Sequence, residues 1–559
     1  MRIEVLEPAS RVGRPADDGA ARGGGPVHAP RAPVRRRRLD RFELAVLLAF
    51  GTVSVWVLAL DLYQVVAHAR IWTGTDGFYL TDQMQYLAWI RDASHHLLAS
   101  NLFVLRPTTA DYFQPAIAIS GLVSALGVAP WLALLLWKPI AVGAAFYAVR
   151  TYARLIVAGL LAQRSVLVLG LFFGSYGVIG DLWTGFWSWG YPFGLLSIAA
   201  MTGALVAYDR SRAANGRVWV APLLGAIASA LHPWQGETLI LLLLAAELIR
   251  WLSGERSRGH LRLAGLTVLA TGLPLLYYLI LGRVDLSWSL GRSASRHDSS
   301  IGSILLALAP LLIPAALAYR RGPTSFLSLA TRAWPFAALI VYALSATELS
   351  GAPLHAFAGI SIPLAALSVE GIRSAGWRRV PHRRLLAIAA LAALSIPATA
   401  YELSIAPQSV SPTSGNASFI TGDERHALDY LAADPRSGGV LSRFYLGAIV
   451  PAETGRHTFV GHCLWSQPHC VSRAQFAQKL FEGSLTPAVS RSFVVQTGAR
   501  FVLTDCQSGT DLTATLAPIT QSINRFGCAT VYVIDTPGPP TGPLAQSGAD
   551  AALRATWRQ

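Results

Sequence analysis

"RRRRLDRFELAVLLAFGTVSVWVLALDLYQVVAHAR", residues 35–70, decides what kind of molecule this is. Four arginines precede an apolar run spanning residues 43–69. A helix needs about 20 mostly apolar residues to cross the hydrocarbon core of a bilayer. A basic start before an apolar run is also the pattern of a signal peptide. This run is too long for one and lacks a clear small-residue cleavage site, so it reads as a retained first helix. Residues 1–40 are rich in Gly, Pro, Ala and Arg and read as a disordered basic leader. Arginines beside a span mark the cytoplasmic side.

The rest of the chain repeats the signal. Of its 559 residues 53% are hydrophobic and 14% charged, against about 25% charged in soluble domains. Further apolar runs lie near 130–150, 165–182, 191–208, 217–232, 236–252, 263–281, 302–319, 333–347, 354–371 and 385–402. The expectation is a polytopic α-helical membrane protein of about eleven spans. The net charge of +15 does not point to nucleic acid, because the arginines sit between apolar runs and form no basic face. They fall in alternate connections: Arg150, Arg154 and Arg164, then Arg210, Arg212 and Arg217, then "RWLSGERSRGHLR", "YRRGPTS" and "RSAGWRRVPHRR". The other connections are longer or less basic: 70–129, "DLWTGFWSWGYP", "HPWQGE", 282–301 and "TELSGAPLH". The positive-inside rule then puts the N-terminus in the cytoplasm and residues 403–559 outside.

Residues 403–559 are no longer continuously apolar. "GGVLSRFYLGAIV", "ARFVLTD" and "ATVYVID" read as β-rich, and "DERHALDYLAA" and "SRAQFAQKLFEG" as helical, which predicts a small extracytoplasmic α/β domain. All four cysteines lie here, as disulfides in an oxidising compartment require. Cys463–Cys470 and Cys506–Cys528 are the favoured pairs among three connectivities. A zinc site with His462 and His469 is the weaker alternative, since no close CxxC pair is present. The division expected is leader 1–40, membrane domain 41–402 and outer domain 403–559.

The outer loop 70–129 is long for a connector, and long loops are usually functional or disordered. It begins "TDGFYLTDQMQYLAWIRDASHHL", residues 75–97. Apolar residues at 84, 87, 90, 93, 97 and 98 follow a helical period. "PAIAISGLVSALGV" is a second short apolar helix. Both are expected to lie at the membrane surface or dip into it. Asp82, preceded by Thr81, reads either as a helix N-cap or as a working carboxylate. His95 and His96 lack a third ligand and read as surface residues. Asp92 reads as facing water.

"GTDGFYLTDQMQYLAWIRDA", followed by "NLFVLRP" and "DYFQPAIAISGLVSALG", resembles the outer loop of the GT-C superfamily of membrane glycosyltransferases. The His-Pro of "ALHPWQGETL" and the outer tail extend the resemblance. It implies a polyprenyl-phosphate sugar donor and a glycan or lipid acceptor at the outer face of a bacterial-type plasma membrane. A sugar on a lipid phosphate already has a good leaving group. It needs a base at the acceptor hydroxyl and cations at the departing phosphate. Asp82 is the first choice for the base and Asp76 the second. Arg283, Arg292, Arg296 and His297 are the candidates for the phosphate. His232 and Glu237, at the outer end of a span, are candidates for substrate contact. Asp76 and Asp82 stand six apart rather than as Asp-x-Asp, which leaves a shared metal site open. No cofactor is required by these residues, and a divalent Mg or Mn ion is admissible. The alternative function is a transporter or flippase for a lipid-linked or small anionic substrate. Such proteins concentrate charge near the membrane midplane and often show related halves, and neither is visible here.

Overall fold

A computed structural model describes residues 38–76, 80–174, 180–213, 216–295, 300–347, 350–375, 381–412, 415–507 and 509–535. The first apolar run forms α1 (Arg41–Ser54) and α2 (Trp56–His68), which bend by 45° at the break between them. The loop after them carries β1 (Ile71–Trp72), α3 (Leu80–His96) and α4 (Pro115–Ala125). Then follow α5 (Pro130–Leu135), α6 (Trp137–Ile156), α7 (Leu160–Phe172), α8 (Pro192–Arg212), α9 (Val220–Leu231) and α10 (Pro233–Leu252). The helical part ends with α11 (Arg258–Val284), α12 (Leu286–Ala294), α13 (Ile301–Ala318), α14 (Phe326–Ser345), α15 (Ser361–Ser374) and α16 (Pro381–Ser409). Local chemistry starts many of these helices. Pro115, Pro130, Pro192 and Pro233 occupy first positions, where the missing N–H costs nothing. Asp285, Ser300 and Ser325 cap α12, α13 and α14 through their side chains.

Every apolar run named above overlaps a helix. Six helical stretches are long and apolar enough to cross a bilayer: Pro130–Ile156, Pro192–Arg212, Arg258–Val284, Ile301–Ala318, Phe326–Ser345 and Leu385–Gln408. The bent pair α1–α2 makes a seventh if it counts as one span. The helices α7 and α9 are apolar but shorter.

The tail continues with β2 (Phe419–Ile420), α17 (Gly422–Ala433), β3 (Val440–Leu441), α18 (Phe444–Thr454), α19 (Cys470–Phe481), α20 (Pro487–Thr497), β4 (Phe501–Thr504), β5 (Thr520–Phe526) and β6 (Ala529–Ile534). Four strands form a sheet in the order β3-β4-β6-β5, with β3 parallel to β4 and the other pairs antiparallel. The period of two sends Phe501, Leu503, Val531 and Val533 to one face, and Val502, Tyr532 and Ile534 to the other. The second face is covered by α19 and α20 through Phe476, Leu480, Phe493 and Val494. Both favoured disulfides, Cys463–Cys470 and Cys506–Cys528, are formed.

Three expectations change. Of "GGVLSRFYLGAIV" only Val440–Leu441 is strand, and Phe444–Thr454 is helical. A short apolar run that is buried all round carries no periodicity to separate strand from helix, and α18 is buried along most of its length. The second change concerns α3. It is not an isolated amphipathic helix but part of a packed core. Met84, Leu87, Ala88 and Ile90 share one core with Leu446, Ile449 and Val450 of α18 and with the first face of the sheet. By contrast α4 leaves Ile119 and Leu122 exposed, as is Leu126 at its C-terminal cap. The third is Asp92, which does not simply face water. It accepts from the backbone and hydroxyl of Ser100 and closes the turn after α3. Across the junction β1 pairs with β2, Ile71 opposite Ile420 and Trp72 opposite Phe419.

Candidate active site

Asp82 stands in the first turn of α3, where exposed helix N–H groups favour a negative side chain. Its two oxygens are held from distant parts of the chain. Tyr191 donates its hydroxyl to Oδ2 at 2.5 Å, and His462 Nε2 lies 2.9 Å from Oδ1. The Asp82 side chain remains 30% exposed, whereas that of His462 is only 3% exposed. Burial alone would raise the Asp82 carboxyl. The hydrogen bond and charge of His462, the Tyr191 bond and the more distant His355 outweigh it, and Asp82 stays below its usual 3.8. It is therefore an ionised carboxylate at neutral pH. The Tyr191 phenol is pushed up by burial and by Asp82, so it keeps its proton and remains a donor.

The frame around this carboxylate explains why three segments meet there. Gln83 donates to the backbone oxygen of Gly190, and Gly190 adopts φ +97°. A Cβ at Gly190 would lie 2.5 Å from the Asp76 backbone oxygen, so only glycine lets this loop deliver Tyr191 to α3. One turn along α3, Gln85 accepts from the indole of Trp465. Asp82 and Gln85, three apart on one helix face, thus grip the same loop at His462 and Trp465. That loop is also tied to residues 101–103: Asn101 Nδ2 donates to Trp465 O at 2.9 Å and Ser466 to Phe103 O at 2.9 Å.

A second cluster adjoins Asp82. His232, at the junction of α9 and α10, lies with Nε2 3.1 Å from His355 Nδ1. Gln235 hydrogen-bonds His232 Nδ1 and donates to His355 O at 3.2 Å and Ala358 O at 3.4 Å. The Trp187 ring stands edge-on to both imidazoles at 5.1 and 5.2 Å, and Trp234 lies 4.7 Å from His355. Asp181, in the short helical turn Gly180–Leu182, completes the group. Burial raises its carboxyl, His355 opposes that and Asp82 adds to it. Environment drives the two carboxylates, Asp82 and Asp181, in opposite directions.

Asp76 has a different neighbourhood. It is 4% exposed and ion-paired with Lys138. The Lys138 ammonium also donates to Ser54 O at 2.7 Å and Ser188 O at 2.6 Å. Asp61 of α2 is 1% exposed, and neither of its carboxylate oxygens has a hydrogen-bond partner among the described residues. Asp76, Gln83, Lys138 and Gly190 line a small cavity with Gly74 and Trp131.

The remaining sequence candidates separate. Glu237 lies two residues beyond Gln235 with Oε2 buried, and no described hydrogen bond joins it to Asp82. Arg283 is exposed at the end of α11. Arg292 is half-buried on α12 and its Nε is buried without a described partner. Its helix presses on the His462 loop: a Cβ at Gly291 would lie 3.1 Å from the Trp465 ring. Trp288 of α12 packs 4.6 Å from Trp465 and 5.8 Å from Trp89. Arg296 and His297 lie outside the described residues. His95 and His96 are exposed, with His96 3.4 Å from Asp92. Lys138, Tyr191, Gln235 and His355 were not singled out from the sequence, and His462 only as a zinc ligand. For His355 the one available signal was its place in a non-basic connection.

Among the described residues the one trio of His, Cys, Asp or Glu donors close enough to hold a metal is Asp423, Cys506 and Cys528. Both cysteines are in a disulfide and Asp423 accepts from the Cys528 N–H at 3.0 Å, so the trio does not suit a metal. Both oxygens of Asp82 already accept hydrogen bonds. An apolar groove between α13, α14 and α15, lined by Ile304, Leu308, Leu339, Phe357 and Ile360 among others, reaches the segment that carries His355.

No protein-family model matches the sequence, and no curated protein matches it by sequence. The fold does have relatives among solved structures. The arabinofuranosyltransferase AftD from Mycobacteria superposes with a TM-score of 0.53 at 13% identity, over 90% of this chain and 40% of that one. The oligosaccharyltransferase of Archaeoglobus fulgidus gives 0.52 at 13% identity, over 85% and 71%. The archaeal oligosaccharyltransferase AglB from the same organism, in complex with an inhibitory peptide and a dolichol-phosphate, gives 0.51 at 13%, over 90% and 75%. This chain shares the fold of these glycosyltransferases.

Proposed function

We propose that this chain is an integral membrane glycosyltransferase. It moves a sugar from a polyprenyl-phosphate donor to a glycan or lipid acceptor at the outer face of the plasma membrane, with inversion. The observation that carries the reading is Asp82: an ionised, partly open carboxylate held by two donors, on a glycosyltransferase fold in which an apolar groove reaches the segment carrying His355. Asp82 is the base that takes the acceptor's proton. Tyr191 and His462 orient it and keep it ionised before the acceptor arrives. Asp76 supports the site from behind by fixing Lys138 between Ser54 and Ser188. Arg292 and His232 supply positive or polar character for the phosphate, and Arg283 extends it towards solvent. Arg296, His297 and Glu237 belong to the same reading as further substrate contacts.

The architecture proposed with it has about eleven spans, which adds α7, α9, α10 and α15 to the seven stretches of full length. The basic leader 1–40 and the arginine-rich ends lie in the cytoplasm, and the division at residues 41–402 and 403–559 puts the tail outside. Both disulfides suit an oxidising compartment there. No step is routed through a metal, and chelation with EDTA tests whether Mg or Mn contributes.

The test is Asp82→Asn in purified protein supplied with polyprenyl-phosphate sugars and membrane acceptors. Loss of transfer with unchanged folding supports the base; full activity removes it. The alternative, a transporter or flippase, draws on Asp61, a buried carboxylate within the first apolar run. Lipid scrambling in proteoliposomes without any glycosyl transfer would favour it.

A further inference from the structure

The hydrogen bonds around His232 and His355 fix where the protons sit. Gln235 donates to two backbone oxygens, His355 O and Ala358 O. A carbonyl only accepts, so the amide nitrogen faces them and Oε1 faces His232 Nδ1. That imidazole nitrogen must therefore carry a hydrogen. A buried, neutral imidazole has a single N–H, and His232 is 8% exposed, so its Nε2 bears the lone pair. It can only accept from His355 Nδ1, 3.1 Å away. His355 in turn keeps its hydrogen on Nδ1 and holds a lone pair on Nε2. Among the described residues no hydrogen bond reaches that nitrogen. The Trp187 ring stands edge-on to both imidazoles and Trp234 edge-on to His355, which confines the tilted pair.

We infer that His355 Nε2 is the group that meets the donor's phosphate, taking up a proton as the anion enters and donating it as a hydrogen bond to a phosphate oxygen, with His232 and Gln235 as the positioning residues that set its tautomer. This rests on the glycosyltransferase reading. Three independent features agree with it. Phe357, two residues on, borders the apolar groove, so a lipid chain in that groove ends beside His355. The groups acting on His355 are Asp181, Asp82 and His232; α10 adds Gln235 and, two residues on, Glu237, and α14 packs Tyr342 on Phe357. Burial pushes the His355 imidazole down while Asp181 and Asp82 pull it up. It is neutral in the empty site, and one more negative charge, the phosphate, favours the imidazolium. Protonation at Nε2 leaves the Nδ1 hydrogen bond to His232 intact, so charging requires no rearrangement.

The transfer step then balances. The acceptor oxygen bonds to the anomeric carbon of the sugar. The bond from that carbon to the phosphate oxygen breaks, and its electron pair stays on the phosphate. The acceptor proton goes to Asp82, and the His355 Nε2–H stays on the imidazolium, hydrogen-bonded to the departing lipid phosphate.

The experiment measures binding of undecaprenyl phosphate to the full-length protein in nanodiscs between about pH 5.5 and 8.5, the range in which histidine changes charge. The wild type is expected to bind about tenfold more weakly at the alkaline end, as one proton per lipid is linked to binding. His355→Gln is expected to lose that slope, apart from the lipid's own ionisation, which affects both proteins equally. Gln235→Leu, which removes the acceptor from His232, should move the midpoint down, and Gln235→Glu should move it up. A slope retained in His355→Gln, or identical midpoints in both Gln235 variants, overturns the inference and leaves the enzyme reading standing. A wild type that binds no lipid phosphate at any pH overturns the donor reading, and this inference with it.

Discussion

Asp76 and Asp82 are six residues apart and have opposite surroundings. Asp76 is closed off: a lysine neutralises it, and that lysine is itself saturated by two backbone oxygens. Asp82 is held by a phenol and an imidazole and stays partly open. A fully neutralised, buried charge is committed to the fold, because freeing it would strand its partner. A carboxylate held by hydrogen bonds and left open keeps a lone pair for an incoming proton. The contrast assigns structure to one aspartate and chemistry to the other.

The largest expected effect breaks the Asp82 side. Asp82→Asn should lower transfer by about 10²–10⁴-fold, the usual share of a general base, with thermal stability nearly unchanged. Equal losses of activity and stability would erase the distinction. Next comes the Asp76 side. Lys138→Met strands a buried carboxylate and should cost about 3–5 kcal/mol of stability, read from thermal unfolding in detergent. Adding Asp76→Asn should recover part of it; a neutral Lys138→Met would show that the pair does not hold the fold. His462→Phe sharpens the comparison through pH. In the wild type Asp82 is depressed, so it is ionised above its usual 3.8 and its acid limb lies lower still. Without His462 burial remains and its main opponent is gone, so the limb of the pH–rate profile moves up, with rates converging in the alkaline range. An unmoved limb would mean that His462 does not tune Asp82. Tyr191→Phe removes one hydrogen bond to a charged carboxylate, worth about 1.5–3 kcal/mol; a loss in kcat and an upward shift of the same limb, smaller than that of His462→Phe, are expected.

The sequence made some of this legible. Apolar runs and arginine spacing located the helices, because a bilayer constrains length and charge locally. The cysteine pairs and the first turn of α3 were also within reach. The partners of the aspartates were not. Lys138 is a single cation in the apolar run "LLLWKPIAV", with nothing local to show that it folds back on Asp76. His462 reaches Asp82 across 380 positions and His355 reaches His232 across 123. Such contacts depend on how helices cross, which no spacing encodes. Residues 444–450 misled for the opposite reason: buried on all sides, they show no face.

One feature bears on how such a protein could be rebuilt. The helix that carries Asp82 is also a wall of the tail's hydrophobic core, through Met84, Leu87, Ala88 and Ile90. The tail is therefore not a detachable cassette. A chimera that imports another tail at residue 403 would offer α3 a foreign surface and Asp82 no histidine. A working graft has to carry α3 across with it, so the two parts can diverge only in step.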